Sequence, residues 1–70
     1  MVDNAKIKAL RVFRGYTQEE LSRKADVGLY TLHRIETGHT KDPGIINVTK
    51  IAQALQVKVD DLLIHTEKAN

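Results

Sequence analysis

The stretch TQEELSRKADVGLYTLHRIETG, residues 17–38, decides the fold of this chain because it contains two short helical patterns divided by a few residues. In the first pattern, Thr17 is followed three residues later by Glu20, which is the spacing of a capping box. Leu21 and Ala25 continue the apolar face at a spacing of four residues. The sequence therefore predicts a helix that starts at Thr17 and ends near Ala25.

The second pattern covers roughly residues 28–37, with Leu32 and Ile35 turned toward a core and Gly38 placed to end the helix. Residues 25–28 are too few to let the two helices stack antiparallel, so the helices must cross steeply. This is the geometry of a helix-turn-helix, whose second helix can lie in the major groove of DNA.

Helical patterns continue on both sides of this stretch. The expected elements are a helix over about residues 4–14 ended by Gly15, a loop over 39–44, a helix over about 45–56, and a short fifth helix from about Lys58 that buries Leu62. On the first helix, Phe13 is expected to widen the buried stripe beside Leu10, whereas Val12 points outward. We expect an all-α, compact five-helix domain spanning residues 1–70, with an ordered core of about 4–64 and a tail of 65–70.

Composition sets the limits on function. The chain has 70 residues, with 11 Lys and Arg, 9 Asp and Glu, and no cysteine. The absence of cysteine removes disulfides and thiolate metal sites, and no long apolar run is present, so we expect a cytoplasmic chain that does not enter a membrane. Residues 1–41 carry a net charge of +3 and the remainder −1. A basic first half is a mild indication of an anionic partner such as nucleic acid.

The residues needed for catalysis or for metal binding are missing. The only serine, Ser22, falls inside a helix and has no glycines around it that would form a nucleophile elbow. The three histidines lack metal-ligand spacing, and the adjacent pair Asp60 and Asp61 would diverge on a helix instead of facing one bond. We therefore expect no enzyme activity, no metal and no cofactor.

The stretch of residues 17–38 resembles the Cro and lambdoid-repressor type of regulator, the Xre family. LRVFRG, residues 10–15, is similar to the end of that family's first helix, and IAQALQVKVDDLL, residues 51–63, is similar to its fourth and fifth helices. The resemblance covers about sixty of the seventy residues and implies the lambda-repressor-like fold. Two positions differ from the family pattern: Asp26 stands where glycine is usual in the turn, and Gly28 stands where serine usually caps the third helix.

The outward face of the third helix is the candidate base-reading surface. With Leu32 and Ile35 turned inward, an advance of about 100° per residue places outward four side chains: Leu29, Tyr30, His33 and Arg34. The family resemblance implies that these positions meet base edges. Arg34 matches the O6 and N7 acceptors of guanine, Tyr30 can hydrogen-bond a base or a phosphate, and Leu29 can touch a thymine methyl group. The alternative is an ordinary solvated helix face, and His33 fits a plain surface histidine as well as a contact.

Phosphate contacts are expected around the same surface, at Gln18, Thr31, Lys41 and Asn47. Gln18 opens the second helix, where free N–H groups and the helix dipole favour an anion, and the resemblance adds its side chain to that contact. Lys41 lies in the loop after the third helix, where a solubilising charge is the alternative, and Asn47 lies near the start of the fourth helix. The resemblance also implies a structural pair, Arg11 with Glu36, that joins the first helix to the third.

These observations predict sequence-specific binding of double-stranded DNA by a transcription regulator, more specifically a repressor that occupies an operator. One short recognition helix reads few base pairs, so we expect a homodimer on DNA, with Leu63 and Ile64 as candidate dimer contacts suggested by the resemblance. The alternative is a protein-interaction module or an antitoxin of the same fold, with DNA binding secondary. A protein partner that co-purifies with the chain would favour that alternative.

Overall fold

Four α-helices account for most of residues 2–64, the part of the chain that the computed structural model describes. They are α1 (Asn4–Phe13), α2 (Gln18–Ala25), α3 (Leu29–Thr37) and α4 (Ile45–Leu55). The helices lie where the sequence predicts them, with ends that differ by at most one residue. None of the helices within residues 2–64 is both long enough and apolar enough to cross a bilayer.

The helix starts follow the side chains that precede them. Thr17 Oγ1 accepts a hydrogen bond from the Glu20 N–H at 3.1 Å, and the Thr17 N–H donates to Glu20 Oε1 at 2.8 Å, so the predicted capping box is confirmed. The hydrogen bond from the Thr17 backbone holds the pKa of the Glu20 carboxyl below its usual value. Asp3 caps α1 in a similar way, by accepting from the Lys6 N–H at 3.1 Å.

Three chain reversals share one left-handed geometry. Three of the residues with positive φ mark these reversals: Gly15 after α1 (79°), Asp26 after α2 (56°) and Gln56 after α4 (61°). In each case the next residue donates its N–H to a carbonyl five residues back at 3.0 Å, which satisfies groups that a helix end leaves without partners. Asp26 thus adopts the conformation for which glycine is usual, which is consistent with the tolerance expected of an aspartate.

The expected fifth helix is not an α-helix. Val59–Leu62 forms a single 3₁₀ turn, because the chain becomes extended at Leu63 and leaves too few residues for a complete α-helical turn. Leu63 forms a β-bridge with Val2, and the Asp3 N–H donates to the Leu62 carbonyl at 2.8 Å. This pairing buries Val2, which lies ahead of the ordered core expected from the sequence. The expected tail, residues 65–70, lies outside the described residues.

The core is built from large aliphatic side chains contributed by every element. Those that are fully buried are Ile7, Leu21, Leu32, Ile35, Ile51, Leu55 and Leu62. Each contributes about 1.5–3 kcal/mol relative to an exposed position. Helix α2 packs on α3 and α4, and α3 packs on α1 and α2. Because Leu32 and Ile35 anchor α3 by its inner face, the opposite face of α3 is turned to solvent.

The expectation that Phe13 joins the buried stripe of α1 is wrong, since its side chain is 79% exposed. Ile7 defines the inward direction of α1, and Leu10 is already only partly buried at the edge of the stripe. Phe13 lies about 60° further round the helix than Leu10, outside the core. Val12 is exposed as expected.

Candidate nucleic-acid interface

The turn between α2 and α3 is anchored by contacts with α4. Lys50 on α4 donates to the Asp26 carbonyl at 3.3 Å, and its ammonium lies 3.8 Å from the Asp26 carboxylate. Val27 is buried in the core, and Gly28 begins α3 without a side-chain cap. The two helices are therefore held in a fixed relation, which a helix that docks on a ligand requires.

The solvent-facing side of α3 carries side chains that can contact base edges. Leu29, Tyr30 and His33 are exposed, and the Tyr30 residue reaches 72% exposure. Thr31 is half-buried on the flank. Leu29 and Tyr30 together form an exposed amphipathic surface on α3. In a helix-turn-helix, this second helix is the one that contacts DNA.

Arg34 adopts an arrangement that the helical phase alone does not predict. Instead of pointing straight into solvent, the side chain is half-buried and folds along the surface. Its Nε donates to Thr40 Oγ1 at 3.2 Å, its Nη1 donates to the Tyr30 hydroxyl at 3.5 Å, and its Cζ lies 5.7 Å from the centre of the Tyr30 ring. A guanidinium over an aromatic face is a cation–π contact. The side chain is thus held between Tyr30 and the loop after α3.

Thr40 and Asn4 are two residues of this region that sequence reasoning missed. The Thr40 N–H donates to the Arg34 carbonyl at 3.1 Å, and the Thr40 carbonyl accepts from Asn4 Nδ2 at 3.5 Å. Asn4 Nδ2 also donates to the Ile35 carbonyl. No motif in the sequence marks these contacts, because they join a loop to α1 across 36 positions of the chain. The loop is pinned next to Arg34 as a result.

The start of α2 lies beside the C-terminal end of α3. Gln18 Nε2 donates to Glu36 Oε1 at 3.0 Å, so one of its amide hydrogens is engaged within the protein. The second amide hydrogen and the backbone N–H groups of Gln18 and Glu19 remain as donors, whereas the Glu20 N–H is used by the Thr17 cap. This helix start can still receive an anion.

Arg11 and Glu36 form a bidentate ion pair below this surface. Arg11 Nε lies 2.8 Å from Glu36 Oε2, Arg11 Nη2 donates to Oε1 at 3.1 Å, and Arg11 Nη1 donates to the Tyr16 carbonyl at 2.8 Å. The side chains are 12% and 1% exposed, respectively. The pair links α1 to α3 within the protein, in the structural role that the sequence resemblance implies.

The remaining expected phosphate contacts lie on the loop after α3 and at the start of α4. Lys41 is exposed and directly follows Thr40, so its backbone lies close to the Arg34 site. Asn47 is half-buried and its Nδ2 donates to the Pro43 carbonyl at 3.1 Å, which leaves its amide oxygen and one hydrogen for other partners. Within residues 2–64 no cluster of side chains could hold a metal ion.

Known proteins share this arrangement. A family model described as helix-turn-helix matches residues 7–62. An uncharacterized HTH-type transcriptional regulator of Methanocaldococcus jannaschii is 36% identical over 62 residues, which cover 89% of this chain and 92% of that protein. SinR of Bacillus subtilis, the master regulator for biofilm formation, is 34% identical in its crystal structure in complex with DNA, with a TM-score of 0.83 over 87% of this chain and all of that one.

In the SinR–SinI protein complex the matching chain is 35% identical, with a TM-score of 0.84 over 90% of this chain and 60% of that one. The family model covers more than half of the sequence, and the matched residues include α2 and α3 with the short turn between them. This chain therefore belongs to the Xre/Cro-type helix-turn-helix family.

Proposed function

We propose that this protein binds double-stranded DNA in a sequence-specific manner as a transcription regulator, with α3 in the major groove. The observation that carries the proposal is the open face of α3, where Tyr30 and Arg34 are held side by side on a helix whose other face is locked in the core. A major groove about 12 Å wide admits one α-helix presented in this way. The crystal structure of SinR in complex with DNA, 34% identical to this chain, supports DNA binding by this fold.

Four side chains are proposed to contact bases: Leu29, Tyr30, His33 and Arg34. Arg34 carries most of the sequence reading, because its guanidinium can donate two parallel hydrogen bonds to guanine O6 and N7. Tyr30 adds a hydroxyl at the same site, and Leu29 offers an apolar surface to a thymine methyl group. His33 adds a ring N–H donor.

Four other residues are proposed to contact the phosphate backbone: Gln18, Thr31, Lys41 and Asn47. Gln18 acts through its second amide hydrogen together with the N–H groups at the start of α2, since its first amide hydrogen is bonded to Glu36. Lys41 supplies a positive charge on the exposed loop. Such contacts set the position of the protein on the duplex and do not distinguish sequences.

We further propose repression by occupation of an operator, with two copies bound to adjacent half-sites. A nine-residue recognition helix contacts few base pairs, and a two-fold pair would place its half-sites about 34 Å apart, or roughly one turn of DNA. Ile64 is the better candidate for the dimer contact, because it is exposed whereas Leu63 is partly packed against the core. An antitoxin or protein-interaction role is less well supported, since the relatives found are described as transcription regulators.

Selection of duplexes from a random library, followed by affinity measurements over a range of salt concentrations, tests the proposal. We expect an enriched half-site and a steep fall of affinity with salt. The substitution Arg34→Ala should cost about 1–3 kcal/mol on the selected duplex, much less on random DNA, and relax the preference at one base pair per half-site. Lys58→Ala is the matched control, since it removes one positive charge next to the 3₁₀ turn, which packs on α1 and α4. Affinity that is independent of salt, with no enriched sequence, would refute DNA binding.

A further inference from the structure

We infer that Thr40 is a positioning residue for sequence reading: its hydroxyl holds the Arg34 guanidinium in one orientation before any DNA is bound. This inference rests on the proposed function, in which Arg34 contacts a base. It concerns a residue that lies outside α3 and that no helical-phase argument selects. The contact that carries it is the hydrogen bond from Arg34 Nε to Thr40 Oγ1 at 3.2 Å.

The Thr40 hydroxyl is a fixed acceptor because both sides of the residue are anchored. Its N–H donates to the Arg34 carbonyl at 3.1 Å, which ties the loop to the last turn of α3. Its carbonyl accepts from Asn4 Nδ2 at 3.5 Å, and Asn4 also bonds the Ile35 carbonyl, which ties the same loop to α1. Thr40 therefore cannot move away without breaking contacts to two helices.

Tyr30 limits the guanidinium from another direction. Arg34 Cζ lies 5.7 Å from the centre of the Tyr30 ring, and Nη1 reaches the Tyr30 hydroxyl at 3.5 Å. A guanidinium has five N–H donors, and these two contacts use one on Nε and one on Nη1. Three donors on the two terminal nitrogens stay available, enough for the two parallel hydrogen bonds that guanine accepts. We therefore expect Arg34 to donate to guanine from Nη1 and Nη2, and not from Nε.

Holding a flexible side chain in its bound orientation lowers the entropy that is lost on binding. An arginine has several rotatable bonds, so the benefit of pre-orientation is large for this residue type. Loss of the Thr40 hydroxyl should therefore weaken binding to the cognate base pair and leave contacts to the phosphate backbone unchanged. This outcome differs from that of a structural residue, whose loss would lower the melting temperature and the affinity for all DNA alike.

Thr40→Val removes the acceptor and keeps the side-chain shape, whereas Thr40→Ser keeps the acceptor. Three duplexes are compared: one selected with the wild-type chain, the same duplex with the base pair read by Arg34 replaced, and a random one. That base pair is the position at which Arg34→Ala loses its preference. We expect Thr40→Val to reduce the affinity ratio between the first two duplexes roughly 2- to 10-fold, with random-DNA affinity unchanged, while Thr40→Ser retains the ratio.

Two further measurements make the inference independent of overall affinity. In the free protein, NMR exchange of the Arg34 Nε proton with water should be slower in the wild type and in Thr40→Ser than in Thr40→Val. In an Arg34→Ala background, Thr40→Val should have no effect on the duplex ratio, because its effect passes through Arg34. Thr40→Ala serves as a second variant without the hydroxyl if the valine lowers the melting temperature.

The inference is overturned if Thr40→Val leaves the duplex ratio unchanged, or if its effect persists in the Arg34→Ala background. It is also overturned if Arg34→Ala itself leaves every base preference intact. In each of these cases an enriched, salt-sensitive duplex still supports the proposed function. Failure of the proposed function gives a different result, in which no duplex is enriched and there is no base preference for Thr40 to affect.

Discussion

Removal of either partner of the Arg11–Glu36 pair should strongly destabilise the fold. The Glu36 side chain is 1% exposed, and its carboxylate accepts two hydrogen bonds from Arg11 and one from Gln18. In the Arg11→Ala variant this carboxylate is left with a single neutral donor inside the protein. Loss of one partner of a buried ion pair costs about 3–5 kcal/mol. Glu36→Ala should fall at the lower end of that range, because the 12% exposed Arg11 can recover some hydration and keeps its bond to the Tyr16 carbonyl.

The size of this effect sets the assay. A domain of 70 residues has a stability of roughly 3.5–10 kcal/mol, so a loss of about 3 kcal/mol should lower the melting temperature by about 12–24 °C. Urea unfolding followed by circular dichroism at 10 °C, close to the temperature of maximum stability, measures the free energy of unfolding of each variant. The double variant Arg11→Ala/Glu36→Ala should be less destabilised than the sum of the two single variants, since it leaves no unpaired buried charge.

The chain supplies a matched control in Arg23 and Glu19. This pair is also an arginine with a glutamate, with 3.5 Å between Arg23 Nη1 and Glu19 Oε2, but its side chains are 67% and 69% exposed. An exposed pair at this helical spacing contributes only about 0.3–0.5 kcal/mol. The reasoning is refuted if Arg11→Ala costs no more than Arg23→Ala, or if the effects of Arg11→Ala and Glu36→Ala are strictly additive.

Four further outcomes are expected. Thr17→Ala should cost about 1 kcal/mol through loss of the cap. Because the folded-state pKa of Glu20 is lowered, the contribution of Glu20 to stability is present at neutral pH and is lost as pH falls through that pKa. Carboxylate NMR should show a higher Glu20 pKa in Thr17→Ala than in the wild type, because the variant loses the side-chain hydrogen bond of the capping box. Gln56→Gly should raise the melting temperature by a few degrees, since it relieves left-handed strain at φ 61°. Lys41→Ala should weaken binding to all duplexes alike and reduce the log–log salt slope by about 1, whereas Lys58→Ala should not.

Those features of the fold that depend on neighbours in sequence could be predicted from the sequence. The capping box at Thr17 needs only two side chains three residues apart, and it determines where α2 begins. The burial of Leu32 and Ile35 follows from helical periodicity, and it determines which face of α3 is turned to solvent. These two local facts were sufficient to place the candidate base-reading helix and its exposed side.

The features that the sequence did not predict depend on contacts between distant parts of the chain. The bridge from Val2 to Leu63 joins the two ends of the described residues, and it converts the expected fifth helix into a 3₁₀ turn followed by extended chain. The contact of Arg34 with Thr40 depends on how the loop folds back over α3, which periodicity does not describe. The exposure of Phe13 is not predicted either. Its angle of about 60° from Leu10 round α1 is compatible with a buried or an exposed side chain, and the folded chain leaves it exposed.

The buried ion pair contributes something that further apolar packing would not. Leu32 and Ile35 hold α3 in the core, but apolar contacts are non-directional and tolerate small rotations of a nine-residue helix. Glu36 adds directional bonds at 2.8–3.1 Å to Arg11 on α1 and to Gln18 on α2, so α3 is fixed in rotation against both neighbours. A well-packed apolar pair of the same volume could match the stability. The orientation of α3 is the property that such a replacement would loosen, and a helix that reads bases must keep it to within a fraction of an ångström.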